Sequence, residues 1–348
     1  MNTMTDEDAR VTVGIDTHGE VHVAVVLDAR GRRLGCESFP STGAGHRSLE
    51  RWAAGFGPID KVGVEGTGSW GAGIARHLTA VGVQIVEVDR PDRRARRRHG
   101  KSDPLDAEAA ARAVQAGTAS GTPKTRTGTI ESIRVLRVAR RSAVKARSQA
   151  GLQLRALVAT APDELRDRLR GLSLDALIDT TARCRPGDPT DPVQATRLAL
   201  RSLARRHQDL TVEIRELGLH LDRLVATVAP NLIALHGVGT DTAGQLLVTA
   251  GDNPDRLRHE SAFAHLCGAS PVPASSGRVT RHRLNRAGDR HANAALYRIV
   301  ITRLRWHAET RDYVDRRTAE GLSKREIIRC LKRYVAREVY LELTRIRP

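Results

Sequence analysis

The feature that most constrains the fold is the order of apolar segments between residues 11 and 89. Three apolar stretches, VTVGID, VHVAVVLD and RRLGCESF, follow one another with short turns between them, a pattern that predicts an antiparallel meander. A predicted helix near Gly45–Ala54, the stretch KVGVEG, a predicted helix near Gly71–Ala80 and the stretch VQIVEVD come next. From Asp60 onward this is a strand–helix–strand rhythm, which predicts parallel pairing.

A meander followed by such a rhythm is the order expected of an RNase-H-like sheet. Downstream, DPLDAEAAARAV predicts a helix that begins at Asp103, and residues 118–129 have the composition of a linker. Residues 130–157 predict a long helix, and a second one follows residues 183–192. The second helix carries a heptad seam of Leu210, Ile214, Leu217, Leu221, Leu224 and Val228. The two helices either pack on each other within one chain or pair with another subunit, and the pattern favours neither.

The expected fold class is therefore α/β plus α. We predict an α/β domain over residues 1–125, a helical coiled-coil region over 126–229 and a mainly helical C-terminal domain over 230–348. The last domain begins with LHGVGTDTAGQLL, which predicts helix, glycine-rich turn and helix.

The charge balance indicates a polyanionic partner. Lys and Arg number 57 against 40 Asp and Glu, a net charge of +17, and neutralising phosphates with such side chains releases counterions. Aromatic residues make up only 3% of the chain, so base stacking is not the main binding mode. No apolar run reaches the roughly 18 residues of a membrane span. The four cysteines are widely spaced, which predicts neither a disulfide framework nor a zinc site. The N-terminal residues are polar and do not resemble a secretion signal. We therefore expect a cytoplasmic protein.

Four carboxylates form the first candidate site: Asp16, Glu65, Asp103 and Asp106. Asp16 and Glu65 end strands that lie side by side in an RNase-H-like sheet, and Asp103 and Asp106 share a helix face. Each acid alone is more simply a strand-end or capping residue, but the joint pattern indicates a site that cations neutralise. Mg²⁺ prefers such oxygen ligands, and two ions about 4 Å apart clamp a scissile phosphate.

Two further segments indicate nucleic-acid binding. Gly237 and Gly239 lie between two predicted helices and resemble a helix-hairpin-helix, in which backbone N–H groups bind a phosphate without reading sequence; the alternative is a plain helix–helix turn. The segment PVPASSGRVTRHRLNRAGDR places Ser275 and Ser276 before Gly277, among many arginines. A serine there can attack a phosphodiester, although Ser-Ser-Gly is more often only a turn. The arginines of this segment that we expect to contact phosphates are Arg278, Arg281, Arg283 and Arg286.

Several stretches resemble one family. GIDTHGEVHVAVV, VGVEGTGSWG and KSDPLDAEAAARAV are similar to the N-terminal domain of the DEDD transposases of the insertion sequence 110 family, which also includes Piv-type DNA invertases. LHGVGTDTAGQLL and GASPVPASSGRVTRHRLNRAGDRHANAALYRI resemble the C-terminal domain of that family. The resemblance runs from about Val11 to about Val300, in the family's order.

The resemblance implies a RuvC-like first domain in which Asp16, Glu65, Asp103 and Asp106 bind Mg²⁺ or Mn²⁺. It implies a nucleophilic serine that links covalently to DNA, which we assign to Ser276 with Ser275 as second choice, in a composite site completed by the carboxylates of another subunit. It further implies homodimers that pair into tetramers, double-stranded DNA partners at element ends and target, and a structured noncoding guide RNA. The basic residues expected to contact that RNA are Arg93, Arg94, Arg96, Arg97, Arg98 and Lys101.

The favoured hypothesis is a serine-dependent transposase of a mobile element, cytoplasmic and associated with the nucleoid when it acts. A site-specific invertase or a RuvC-like structure-specific endonuclease is the alternative, since a nuclease needs the acids but not the serine. A non-catalytic nucleic-acid-binding protein is the third hypothesis. The sequence does not encode the DNA context that separates a transposase from an invertase.

Overall fold

The computed structural model describes residues 9–88, 102–278 and 282–346. The described residues up to 128, together with 251–258, form one compact unit, and the remaining described residues form a second. The boundaries predicted at residues 125 and 229 stay predictions.

The first unit contains a five-stranded mixed sheet. Its strands are β1 (Val11–Thr17), β2 (Val21–Leu27), β3 (Arg33–Pro40), β4 (Ile59–Glu65) and β5 (Gln84–Val88). The spatial order is β3-β2-β1-β4-β5, with β1, β2 and β3 antiparallel and with β4 parallel to both β1 and β5. The predicted meander and parallel pairing are confirmed, and the sheet fits an RNase-H-like domain.

Helices cover both faces of the sheet. On one face, α1 (Gly43–Ala54) and α2 (Ala72–Ala80) pack Leu49 and Leu78 against Val13 and Ile15. On the other, α3 (Asp103–Gln115) packs Ala107 and Ala111 against Val23, Val25 and Leu27 of β2. Because strand residues alternate between faces, Gly14 and Asp16 share the α3 face of β1.

Two glycines allow α3 to approach the sheet closely. A Cβ atom on Gly14 would lie 2.0 Å from the carbonyl oxygen of Ala107 and 2.4 Å from the amide nitrogen of Ala111. A Cβ atom on Gly63, which pairs with Gly14 across β1 and β4, would lie 2.8 Å from the carbonyl oxygen of Ala110. Backbone atoms of α3 therefore occupy the space that side chains would fill, and this contact sets the height of the helix above the strands.

The segment predicted as a linker is anchored within the first unit. The Asp252 carboxylate accepts hydrogen bonds from the amides of Arg126, Thr127 and Gly128 at 3.0, 2.8 and 2.9 Å. The Asn253 amide group donates to the carbonyl of Pro123 at 2.9 Å. The composition of residues 118–129 did not indicate this anchoring, because the partners lie more than 120 positions away in the sequence.

Two long helices dominate the first half of the second unit. These are α4 (Thr129–Ala159) and α7 (Pro192–Val228), which pack against each other within the chain. The seam residues Ile214 and Leu221 are buried, and the other four are half-buried. Between the long helices lie α5 (Asp163–Leu169) and α6 (Leu174–Ala182), two short helices that the sequence pattern did not predict.

The rest of the second unit is mainly helical. Its elements are α8 (Pro230–Ala234), α9 (Thr240–Ala250), α10 (Glu260–Leu266), the short strands β6 (Val272–Pro273) and β7 (His282–Arg283), α11 (Arg290–Trp306), α12 (Ala308–Ala319) and α13 (Lys324–Arg345). The predicted helix–turn–helix corresponds to α8, the turn with Gly237 and Gly239, and α9. None of the helices in the described ranges is long and apolar enough to cross a membrane.

Candidate active site and nucleic-acid interface

Two of the predicted acids meet at the end of β1 where it passes under the start of α3. The His18 Nε2 atom lies 3.1 Å from Oδ2 of Asp16 and 3.4 Å from Oδ1 of Asp103. Asp16 is only 7% exposed, whereas His18 and Asp103 are half-exposed. One imidazole therefore bridges a buried carboxylate and a more accessible one.

The charges in this cluster act on one another. Burial raises the pKa of the Asp16 carboxyl above its ordinary value, the negative charges of Asp106 and Asp103 act in the same direction, and the neighbouring His18 opposes them. Asp106 is itself buried. The structure thus brings Asp103 and Asp106 close enough to Asp16 for their charges to be felt, and such a cluster favours a bound cation.

Glu65 is positioned by the register of the sheet. Ile15 pairs with Val64 across the parallel strands β1 and β4, so Asp16 and Glu65 are the next residues along these two strands. The Thr17 hydroxyl donates to the carbonyl of Glu65 at 2.8 Å, which ties the two strand ends together. Gly66 follows with a φ of +70°, a conformation that favours glycine, and it turns the chain away directly after the acid.

The start of α3 presents the other two acids. Ser102 is the N-cap, and its carbonyl accepts from the amide of Asp106 at 3.0 Å. Asp103 and Asp106 therefore lie in the first helical turn, where the helix dipole stabilises negative charge. This local arrangement follows from the sequence, since Ser102 and Pro104 are residues typical of a helix start.

The donor set suits a divalent metal ion. One ligand atom each from Asp16, His18 and Asp103 lie within 4.8 Å of one another, close to the roughly 4 Å that opposite ligands of one Mg²⁺ span. A buried carboxylate with neighbouring acids is the environment that such an ion neutralises. His18 was not among the predicted ligands; its signal in the sequence is its place two residues after Asp16.

The serine segment lies in the second unit, between β6 and β7. Ser275 and Ser276 are both exposed, and Gly277 has a φ of +56°, so the chain turns directly after Ser276. Arg278, Arg283 and Arg286 are exposed as well. The predicted contacts Arg93, Arg94, Arg96, Arg97, Arg98, Lys101 and Arg281 lie outside the described residues.

The predicted glycine turn packs against a neighbouring helix. Gly237 has a φ of +79°, and a Cβ atom there would lie 3.2 Å from the carbonyl oxygen of Ile299 in α11. The Gly239 amide donates to the Thr242 hydroxyl at 3.1 Å, so this N–H group is already bonded within the turn. Phosphate binding by the two glycines stays a prediction.

A cluster of arginines around Asp241 was missed by sequence reasoning. Guanidinium nitrogens of Arg137 and Arg298 lie 2.9 and 2.8 Å from the Asp241 carboxylate, and one of Arg140 lies at 3.6 Å. Three cations around one carboxylate leave a positive surplus next to the start of α9. The residues come from α4, α9 and α11, so no local pattern in the sequence connects them.

Two family models match separate parts of the chain. Residues 13–161 match a transposase family of the DEDD type from IS110 elements, and residues 229–315 match the family described as "Transposase IS116/IS110/IS902 family". No curated protein matches the chain. The first match covers the sheet with its acids and implies the use of a divalent metal, and the second covers the serine segment. The two matches occur in the order that the sequence motifs predict, and the chain belongs to the IS110 family of transposases.

Proposed function

We propose that this chain cuts and rejoins double-stranded DNA at the ends of an insertion sequence and at its target, with a serine nucleophile and a metal-binding acid site. The observation that carries the proposal is the acid cluster of Asp16, Asp103 and Asp106 inside the first family match. The second match, with its exposed serines among arginines, supports the serine step.

In this proposal Asp16, Glu65, Asp103 and Asp106 bind Mg²⁺ or Mn²⁺. The bound cation supplies positive charge that stabilises the negative charge on the phosphate. Asp16 is buried and bonded to His18, so it offers a carboxylate in one orientation. The more exposed Asp103 lies at the opening of the same cluster, where DNA can reach it.

Ser276 is the nucleophile in this proposal. Its Oγ atom forms a bond to phosphorus while the bond from phosphorus to one deoxyribose oxygen breaks; the serine proton is lost, and the departing oxygen takes up a proton to become a hydroxyl. Rejoining reverses these events with a hydroxyl from another strand. Exposed arginines such as Arg278 stabilise the charge on the phosphate.

The test is a search for a covalent protein–DNA adduct. Purified protein is incubated with DNA carrying the element boundaries, with Mg²⁺ and the transcribed flanking RNA, and is analysed on denaturing gels. We expect an adduct that Ser276→Ala abolishes, that Ser275→Ala retains, and that Asp16→Asn strongly reduces. An adduct lost only in Ser275→Ala transfers the role to that serine, and cleavage with no adduct supports a RuvC-like endonuclease instead.

We further propose that a structured noncoding RNA guides the reaction and that dimers of the chain pair into tetramers. The net charge of +17 and the arginine cluster around Asp241 support contacts to nucleic-acid backbones. Light scattering of the protein with and without the flanking RNA tests both points. A monomer under all conditions, with no RNA retained at physiological salt, would refute them.

A further inference from the structure

The second unit contains a cavity that neither the acids nor the serines use. It has a volume of about 580 Å³ and lies between residues 268–271, strand β7 with the two residues after it, and one face of α13. Ligand pockets typically measure about 300–1,000 Å³. We propose that this cavity binds one unpaired nucleotide of a nucleic-acid strand, with its phosphate held by cations and its base held against Tyr334.

The lining carries a surplus of positive charge. Arg283, Arg329 and Lys332 line the cavity, and within the described part of the chain no carboxylate lies within ion-pairing distance of any of them. The lining residue Arg333 is neutralised by Glu260, which accepts two hydrogen bonds from it at 2.7 Å each. The three remaining cations therefore suit an anionic ligand.

Among the described lining residues one is acidic, Glu326, which bonds at the start of α13 while its charge also acts on Arg329. The Glu326 carboxylate accepts from the amide of Ser323 at 2.9 Å and from its hydroxyl at 2.6 Å, which closes the capping box of α13. It is held at the helix start, so its single charge leaves the cavity with a net positive charge.

Lys332 is held in place to donate to a ligand. Its ammonium donates to Oδ1 of Asn293 at 2.9 Å, while the Asn293 amide nitrogen donates to the carbonyls of Cys267 and Gly268 at 2.9 and 3.0 Å. An amide whose N–H groups are both bonded to carbonyls presents only its oxygen to the lysine. Burial, together with the nearby Arg329, lowers the pKa of Lys332, and a phosphate would relieve this repulsion.

Other residues of the lining suit a base. Tyr334 is 52% exposed and its ring is held edge-on against that of Tyr313, with the centroids 5.6 Å apart. Leu284 and Pro271 add apolar surface. An exposed aromatic ring beside a cationic pocket is how proteins hold an unstacked base. The low aromatic content of the chain limits stacking to isolated places, and a cavity of this size admits a single nucleotide and not a duplex.

This inference goes beyond the proposed function, because it requires neither Ser276 nor the acids. It assigns α13, which lies beyond the family match ending at residue 315, to the nucleic-acid-binding surface. A binding assay without chemistry tests it, so its failure is distinguishable from failure of the proposed recombination.

The experiment measures fluorescence anisotropy of labelled eight-nucleotide single strands, DNA and RNA, with the full chain. Each strand is compared with an abasic strand of equal length. We expect Tyr334→Leu to weaken binding of the normal strand about 5- to 100-fold, the range for loss of one stacked base, and to leave binding of the abasic strand unchanged. Arg329→Ala should weaken both. The matched control is Arg325→Ala, an exposed arginine of the same helix outside the lining, which should change affinity less than about 3-fold.

A crosslink locates the bound base. A strand with a single 5-iodouracil should form a photoadduct on the α13 peptide that contains Tyr334, and Tyr334→Leu should remove it. Stronger binding by the RNA or by the DNA strand identifies which nucleic acid supplies the nucleotide. If Tyr334→Leu and Arg329→Ala both bind like Arg325→Ala, or if the adduct maps outside the cavity lining, the inference is wrong.

Discussion

Gly14→Ala should separate α3 from the sheet and disable the acid site. The new Cβ atom would lie 2.0 Å from the carbonyl oxygen of Ala107, about 1.5 Å closer than an ordinary contact. The obstructing atoms belong to the backbone of α3, so no rotamer change relieves the clash and the helix itself must move. Overpacking of this kind costs about 1–3 kcal/mol. A displacement of about 1 Å at Asp103 and Asp106 should lower metal-dependent DNA cleavage about 100-fold.

The assay is urea unfolding together with cleavage at saturating Mg²⁺, on a graded series of variants. Gly63→Ala has a milder clash, at 2.8 Å to the carbonyl oxygen of Ala110 and 2.7 Å to a methyl of Val114, so its losses should be smaller. Gly43→Ala is the matched control, because the nearest atom to its Cβ is the end of the Arg47 side chain at 3.7 Å. A Gly14→Ala protein as stable and as active as the Gly43→Ala protein would refute the reasoning.

Three further predictions concern stability. Burial lowers the pKa of His22, which is 0% exposed, from 6.5 to about 4. As the pH falls, the unfolded chain therefore takes up a proton at this histidine before the folded chain does. About 3 kcal/mol of the folding stability present above pH 6.5 should be lost as the pH falls to 4. Urea titrations across this range should show a flatter pH dependence for His22→Phe, and equal slopes would contradict the assignment. Arg303 is 8% exposed and donates to both carboxylate oxygens of Glu338 at 3.0 and 2.8 Å. Arg303→Met should therefore lower the free energy of unfolding by about 2 kcal/mol. An unchanged urea midpoint would show that this ion pair does not contribute to stability. Asp252→Ala removes three hydrogen bonds to residues 126–128, so limited trypsin digestion should cut after residue 126 faster than in the parent protein while the rest of the digestion pattern is preserved.

Periodic patterns and turn residues in the sequence were sufficient to predict the strands of the sheet. The alternation in VTVGID and VHVAVVLD and the short turns between strands act over a few residues, so the meander was readable in order, and the strand–helix–strand rhythm likewise indicated the parallel strands β4 and β5. The placement of Asp16 and Glu65 at neighbouring strand ends followed from matching that order to an RNase-H-like sheet, in which these two strands lie side by side. The helix that starts at Asp103 was equally local, since its N-cap Ser102 and its Pro104 lie within two residues of each other.

The tertiary structure decided what depends on distant partners. The close approach of α3 over Gly14, the arginines around Asp241, the anchoring of residues 126–128 by Asp252 and the cavity beside α13 all join segments far apart in the sequence. His18 shows the same division on a small scale, because its contact with Asp16 is local but its contact with Asp103 needs the fold. Local patterns determine which element a segment forms, whereas packing of backbone and charge across the fold determines which side chains meet.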